Sequence, residues 1–456
     1  MAGAGKHFMG TGLGHIIPYA AYAGFWIMCI ASLAGRPRLG LYYMMPFIAY
    51  RTMRDKFEVM PLGSNVVTIL LLCIIIGGFI AGKRPAASRM FLTWFLFAGY
   101  LYLSLWIGVF ISDAPMPLWL NDANFVAWKD YMVLPLLLLA SSMVLEDRKQ
   151  IRTAIILTAF SLFIVDRSAL LESLSHSWAV FDENKRTSGP LEYGPNQLAA
   201  FLAQFGLFFW ALAASLKRYK VKLVLYALTG LTMVTMLYAF SRAGYVATLV
   251  GILVLGLLKD RKLLIVLGVF LFTWQTLVPT AVSERITMTQ EGGQLDASAQ
   301  ERIDLWEQSR KIFYRSPIVG AGFGTFQFGE HTDSLKDTHN YFVKVLTETG
   351  VVGFIFFMVL LFQMLGAGWS LFRKAQDPLF KALGLGYLVA VTGCILANCF
   401  GDRWTYVEIN GLLWVLTGAV LRAMQLEKPA ATEEIAVPSG RPMPYAGAAL
   451  RAPVPR

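Results

Sequence analysis

Runs of about twenty apolar residues, bounded by short charged or glycine- and proline-containing segments, recur along nearly the whole chain. A bilayer core of about 30 Å takes a helix of about 20 residues, because no water is available there to satisfy a free backbone. The pattern predicts spans over residues 15–34, 39–50, 65–82, 90–111, 131–145, 152–171, 197–216 and 221–240. It continues over 243–258, 263–280, 341–372, 382–400 and 408–422. The second of these is short for a crossing, so both twelve and thirteen spans fit the pattern. Between residues 281 and 340 the apolar runs stop. Within 300–316, Ile303, Trp306 and Phe313 fall near helical spacing among Glu301, Asp304, Glu307 and Lys311, which predicts a short amphipathic helix. Pro317 and the run Gly320-Ala321-Gly322-Phe323-Gly324 end it.

Composition agrees with this reading. The 456 residues are 56% hydrophobic and 15% charged, with mean hydropathy +0.55. Soluble domains carry about a quarter charged residues. The expected fold class is therefore all-α: a polytopic transmembrane helical bundle of about 12–13 spans, with one long outward loop containing short helices. Residues 1–422 form the membrane domain, with a motif-bearing region at 181–360 and the long outer loop at 281–340. Residues 423–456, rich in Pro and Ala, read as a disordered cytoplasmic tail. The glycine-rich start, Met1 to Gly14, lacks the layout of a cleavable signal.

The net charge of +11 does not point to nucleic acid, because the basic residues sit in short loops between spans. Lys83/Arg84/Arg89, Arg148/Lys149/Arg152, Lys217/Arg218/Lys220/Lys222, Lys259/Arg261/Lys262 and Arg373/Lys374/Lys381 fall on every second loop. That face reads as cytoplasmic. Segments 112–130, 172–196, 241–242, 281–340 and 401–407 then face outward. The four cysteines lie in apolar stretches, which predicts neither a disulfide framework nor a metal site.

Chemistry-bearing residues collect on the outward side. The apolar stretch from Val221 to Leu258 is about twice the length of one crossing, so the chain turns at Ser241-Arg242-Ala243-Gly244. Arg242 is then either a snorkelling interfacial side chain or a functional cation. Arg186 lies in the outward loop before Gly194-Pro195-Asn196, where Pro195 is placed to start a helix and Asn196 to cap it. Two guanidiniums on one membrane face suit the oxygens of a diphosphate. His339, one of five histidines, stands where the chain re-enters the membrane. It reads either as a cap or as a group able to take a proton from a hydroxyl. Asn340, Lys344 and Glu348 repeat at helical spacing beyond it. His176 and His331 have no comparable context. Asp166-Arg167 and Lys129-Asp130 read as structural ion pairs, within a span and at an interface respectively.

These residues, in this order, resemble the O-antigen ligase and O-antigen polymerase superfamily of bacterial cell-envelope glycosyltransferases. The resemblance rests on Arg186-x-x-Gly189 with Pro195-Asn196, Ser241-Arg242-Ala243-Gly244, and Glu301-Arg302 with Trp306. It continues through Pro317 and Gly320-x-Gly322-x-Gly324-Thr325-Phe326, then His339-Asn340 followed by Glu348, Gly350 and Gly353. It covers residues 180 to 360 by motif, and Ala243 departs from the glycine many relatives carry after Ser-Arg. The resemblance implies a multi-pass enzyme of the bacterial inner membrane with its active site facing the periplasm. The donor it implies is a glycan on undecaprenyl diphosphate, and the acceptor a lipid A core or a lipid-linked repeat unit. Carried over by motif, Arg186 and Arg242 hold the diphosphate and His339 orients or deprotonates the acceptor hydroxyl. Arg302, Asn340 and Glu348 are secondary candidates. It also implies catalysis with no cofactor and no metal. Two other classes compete: a lipid-linked oligosaccharide flippase or other polytopic transporter, and a membrane cysteine protease. A transporter predicts polar groups deep within spans and an inverted repeat, and no repeat is visible. No cysteine stands near His339 at the outer face.

Overall fold

The computed structural model describes residues 13–118, 122–174, 180–191, 193–288, 290–291, 294–295, 297–328 and 337–427. It is a helical bundle, with one two-residue antiparallel pairing (Gln290–Glu291 with Gln294–Leu295) among the described residues. His176, His331, the first twelve residues and nearly all of the expected tail lie outside the described residues. The tail's first residues instead complete the last helix, Val407–Leu426.

Among the described residues ten helices are long and apolar enough to cross a bilayer, or eleven if the bent pair Lys262–Leu277 and Thr280–Thr287 counts as one span. This is fewer than the twelve or thirteen expected from hydropathy. The shortfall lies in Pro37–Ile48, Arg242–Leu258 and Lys262–Leu277, of 12, 17 and 16 residues. At 1.5 Å per residue, each falls short of the full hydrocarbon thickness. In the other direction, residues 123–130 are not loop. The helices Ala123–Tyr131 and Val133–Val144 form one apolar stretch, with the Asp122 carboxylate capping Phe125 N at 3.0 Å.

Polar contacts sort the connections into two ends. At one end gather Lys83 with Glu146, Arg148 with Asp377, and Arg422 with the carbonyl oxygens of Ser142 and Arg84. At the other end Phe181 N donates to Glu284, Thr187 N to Tyr238 O, and Ser112 Oγ to Ala321 O. Lys344 meets Asp402 and Arg54 meets Glu408 at this same end. The expected division of basic and chemistry-bearing loops is thus a division between opposite ends of the bundle.

Helices Pro195–Ser215, Pro378–Cys399 and Val407–Leu426 are mostly buried and form the centre. Below the second end, Trp94, Tyr131, Phe357, Trp404 and Trp414 pack edge to face, and Trp404 Nε1 donates to the Tyr131 hydroxyl at 2.5 Å. Asn410 Nδ2 donates to the carbonyls of Arg403 and Trp404 at 2.6 and 3.0 Å, fixing the connector before the last helix. The expected Asp166–Arg167 pair does not form. Asp166 is buried and accepts from Thr232 Oγ1 at 2.6 Å, whereas Arg167, the next residue round the helix, is exposed. The Lys129–Asp130 pair does form, at 3.1 Å.

One helix is broken. Tyr341–Lys374 is interrupted at Gly350, whose φ of 63° and ψ of −169° no other residue type adopts readily. The break frees backbone groups, and the glycine segment of the long loop satisfies them. Val351 N and Val352 N donate to the carbonyls of Pro317 and Ile318, while Gly322 N donates to Glu348 O at 2.8 Å. Irregular backbone at this depth is tolerated when protein covers it in this way. Gly322, with φ of 112°, lies against the Gly108 backbone, where a side chain has no room.

Candidate active site

Arg186 is nearly buried, its side chain 7% exposed. Its Nε donates to Ala239 O at 3.2 Å, Nη1 to Glu183 Oε1 at 2.6 Å and Nη2 to Asn196 Oδ1 at 2.9 Å. Ser241 Oγ donates to the same Asn196 oxygen at 2.9 Å. Asn196 is therefore not the helix cap expected from sequence. Gly194 occupies the cap position, with φ of 101° and Pro195 in the first turn, and the Asn196 side chain ties the Arg186 loop to the turn at Ser241. Ser241 caps the next helix and Arg242 is its first residue, partly exposed. A third arginine was not foreseen. Arg285 pairs with Glu183 Oε2 at 3.5 Å and lies over the Phe181 ring at 5.0 Å. Glu183 itself, 56% exposed, bridges Arg186 and Arg285.

His339 precedes the break-bearing helix in the left-handed conformation, φ 53°. Local hydrogen bonds hold it there. Thr338 Oγ1 donates to Asn340 O at 2.8 Å, and Trp306 Nε1 donates to Thr338 O at 2.9 Å. Asn340 caps the helix, its Oδ1 accepting from Phe342 N and Val343 N. Burial, reinforced by the nearby charges of Arg302 and Arg403, pushes the His339 imidazolium below its usual range. That direction favours the neutral ring, which is the form able to accept a proton. Trp306 belongs to the amphipathic helix Ala297–Arg315, which seats Leu305 and Ser309 against the bundle and leaves Ile303 and Trp306 about 40% exposed.

Lys344 and Glu348 face the bundle from the same helix. Lys344 Nζ stands 2.5 Å from Asp402 Oδ2, 3.3 Å from Asp337 Oδ2 and 3.4 Å from Gln327 Oε1. The two carboxyls interact across one ammonium. Burial and the neighbouring Asp337 raise Asp402 well above the carboxylate range. Burial also acts to raise Asp337, but Lys344 and the bonds from Asp402 and Thr338 outweigh it and leave that group low. Glu348 Oε1 accepts from Phe326 N at 3.2 Å and so anchors the glycine segment. Arg403, buried, donates to the carbonyls of Ala397 and Phe400, and burial with the Arg302 charge pulls it down to about 10.

A cavity of about 570 Å³ opens beside this cluster, bounded by Arg51–Arg54 and the segment to Asn65, Ala123–Tyr131, Tyr193, residues 402–408 and the start of Tyr341–Lys374. Lys344, Glu348 and Asp402 line it. Among the described residues Arg186, Arg242, Arg302 and His339 do not.

The structure thus joins Arg186 to the turn bearing Arg242, and places His339 beside Arg302. Glu183, Arg285, Asp337, Asp402 and Arg403 escaped the sequence reading. The pair Asp402-Arg403 carried a usable signal: two adjacent charges in a short connector between largely buried helices. Among the described residues no group of His, Cys, Asp and Glu side chains is arranged to hold a metal ion.

Comparison with curated proteins gave no match. Residues 225–358, which run from the helix before Ser241 to beyond Gly353, match the family model for O-antigen ligase. The match implies O-antigen ligase-type glycosyl transfer in a multi-pass membrane protein, and it bears out the resemblance to the O-antigen ligase and polymerase superfamily.

Proposed function

We propose that this chain transfers a glycan from undecaprenyl diphosphate to an acceptor hydroxyl at the periplasmic face of the bacterial inner membrane, as an O-antigen ligase or polysaccharide polymerase. The observation that carries the reading is the buried Arg186, tied through Asn196 and Ser241 to the helix start at Arg242. Guanidiniums held at a membrane boundary need an anion, and their planar forks suit phosphate oxygens. Glu183 supplies an anion to Arg186 and Arg285. A lipid diphosphate takes its place. The basic loops at the opposite end support the periplasmic placement.

In the reaction the acceptor oxygen bonds to the sugar C1 and the C1–O bond to diphosphate breaks. The bonding pair leaves on the diphosphate oxygen, where Arg186 and Arg242 stabilise it. The hydroxyl proton passes to the neutral imidazole of His339. We read the transfer as metal-independent, the guanidiniums supplying the positive charge. Residues 1–422 form the catalytic membrane domain in this reading, with Arg302, Asn340 and Glu348 positioning His339 and the glycine segment.

Purified protein mixed with lipid-diphosphate glycan and either acceptor should release undecaprenyl diphosphate, followed by mass, in the presence of a chelator. Arg242→Ala and His339→Ala should abolish release while expressing normally. Wild-type protein that releases no carrier with either acceptor refutes the reading.

A further inference from the structure

The amphipathic helix Ala297–Arg315 runs down beside the broken helix Tyr341–Lys374. Near its middle Trp306 Nε1 bonds the Thr338 carbonyl, just outside the broken helix. Two residues past its end, Pro317 O accepts from Val351 N, ten residues inside. The segment that follows lies well below Ser112, where the neighbouring span Arg89–Ser112 ends. Gly322 packs on Gly108, Phe323 N donates to Ser104 O at 3.3 Å, and the Tyr100 hydroxyl donates to the carbonyls of Val319 and Thr349. Ser104 is eight residues, or about 12 Å of helix, below Ser112. Half the hydrocarbon core measures about 15 Å, so this stretch of chain sits inside the leaflet at that end.

The surface of the descending segment changes character with depth. Leu305 and Ser309 are buried and mark the face turned to the bundle. Away from them, at steps of four residues, stand Arg310, Tyr314 and Ile318, and the last two are 71% and 66% exposed. Within eight residues the surface passes from a cation through an amphipathic ring to a bare aliphatic side chain. A leaflet changes in the same order, from phosphate through the interface to acyl chain. Below Ile318 the apolar surface continues on the broken helix, where Val351 and Ile355 are exposed. The charge above it is unbalanced. Arg310 and Lys311 share one acid, Glu307, at 3.6 and 3.7 Å, and Arg315 makes no ion pair among the described residues. Over residues 306–315, three cations therefore face one carboxylate.

We propose that residues 310–318 form a phospholipid-binding surface. Tyr314 and Ile318 lie among acyl chains, while Arg310, Lys311 and Arg315 reach up to hold the phosphate of an anionic phospholipid of the phosphatidylglycerol type. The bound lipid belongs to the surrounding membrane and is distinct from the carrier diphosphate of the transfer reading. It anchors the helix whose Trp306 holds Thr338, next to His339.

The test uses the full chain in phosphatidylcholine nanodiscs containing phosphatidylglycerol. Arg310→Cys and Ile318→Cys each carry a polarity-sensitive fluorophore, and wild type treated identically subtracts the native thiols. Lipids doxyl-labelled on the acyl chain should quench the label at 318, which aqueous iodide should spare, and lipids spin-labelled at the headgroup should quench the label at 310. In detergent, native mass spectrometry titrates phosphatidylglycerol onto wild type and onto Arg310→Gln/Lys311→Gln/Arg315→Gln. The triple variant should bind it more weakly by about fivefold for each charge removed, with phosphatidylcholine unchanged. The proposal is overturned if iodide rather than acyl-chain doxyl quenches the label at 318, or if the triple variant binds phosphatidylglycerol like wild type. Loss of undecaprenyl diphosphate in place of phosphatidylglycerol also overturns it, by assigning the cations to the carrier, as does displacement of the lipid by an equal concentration of inorganic phosphate. None of these readouts uses glycosyl transfer, so failure of the transferase reading leaves them unaffected.

Discussion

Replacing Lys344 by methionine tests whether the buried charge cluster organises the start of the broken helix. Lys344, Asp337 and Asp402 have side chains only 9%, 13% and 5% exposed, with nitrogen–oxygen distances of 2.5 and 3.3 Å. Methionine keeps most of the length and removes the charge, leaving two largely buried carboxyls facing each other. Deleting one partner of a buried pair costs about 3–5 kcal/mol, a large share of the stability of most domains. The penalty should depend on pH. Without the ammonium, both carboxyls have folded pKa values above their unfolded ones, so the variant is least impaired below the unfolded carboxylate range and loses stability as pH rises through the raised values. In the wild type the two acids act oppositely. Asp337, held low, contributes stability that is lost as pH falls through its folded value, and Asp402, held high, one that is lost as pH rises.

Labelling of Cys394, a free and fully buried thiol in the central helix Pro378–Cys399, reports unfolding in denaturant without relying on heat. Lys344→Met should become labelled at lower denaturant, more so at about pH 8 than at about pH 5. Adding Asp402→Asn should recover part of the loss, because an amide neutralises one acid and can donate to the other. A variant that unfolds like wild type, or a double variant no better than the single, would refute the assignment of Lys344 as the cation that holds the pair.

Three further outcomes follow from the site. Glu183→Gln removes the exposed acid bridging Arg186 and Arg285, and undecaprenyl diphosphate should bind about two- to fivefold tighter by calorimetry, in line with an exposed ion pair; weaker binding sinks the exchange of Glu183 for diphosphate. In Arg302→Gln a charge that depresses His339 is gone, so the acid limb of the kcat/KM profile for transfer should move to higher pH. A limb that stays put means His339 is not the titrating group. Gly322→Ala drives a methyl into the Gly108 backbone at a φ of 112° and should cost more than about 3 kcal/mol by the same thiol-labelling assay, whereas Gly268→Ala, with open space around it, should be silent.

Hydropathy made most of the bundle legible because desolvation acts on every residue of a span. The turn at Ser241 and the shared face of Lys344 and Glu348 were equally readable, being set by residues a few positions apart, whereas the cap falls on Asn340, one residue beyond the histidine considered for it. The broken helix was not. Gly350 sits in an apolar run whose periodicity does not change, and the groups that complete it come from Pro317 and Ile318, far along the chain. The same limit hid Asn196. Its position after Pro195 suggested a cap, but the Arg186 and Ser241 side chains, 10 and 45 residues away, claim its oxygen. Asp402 was passed over as loop because the ammonium it meets is 58 residues distant.

The segment Tyr193-Gly194-Pro195-Asn196 links the two parts of the site. Asn196 holds Arg186, while Tyr193 lines the cavity, so three peptide units, at most about 11 Å of extended backbone, separate the residue that anchors Arg186 from the cavity wall. Pro195 in the first helical turn and the Gly194 conformation keep that separation nearly fixed. Fixed spacing matters for a transfer between two bound substrates, since holding the reacting oxygen and the sugar carbon in register replaces an encounter in solution. His339 belongs to neither wall. It stands just before the helix start that Asn340 caps, five residues before Lys344, which binds Asp402 at the cavity. One short helical segment, whose rear end is pinned by the loop at Gly350, therefore joins His339 to the cavity wall. In the proposed transfer the broken helix is the mount that carries His339.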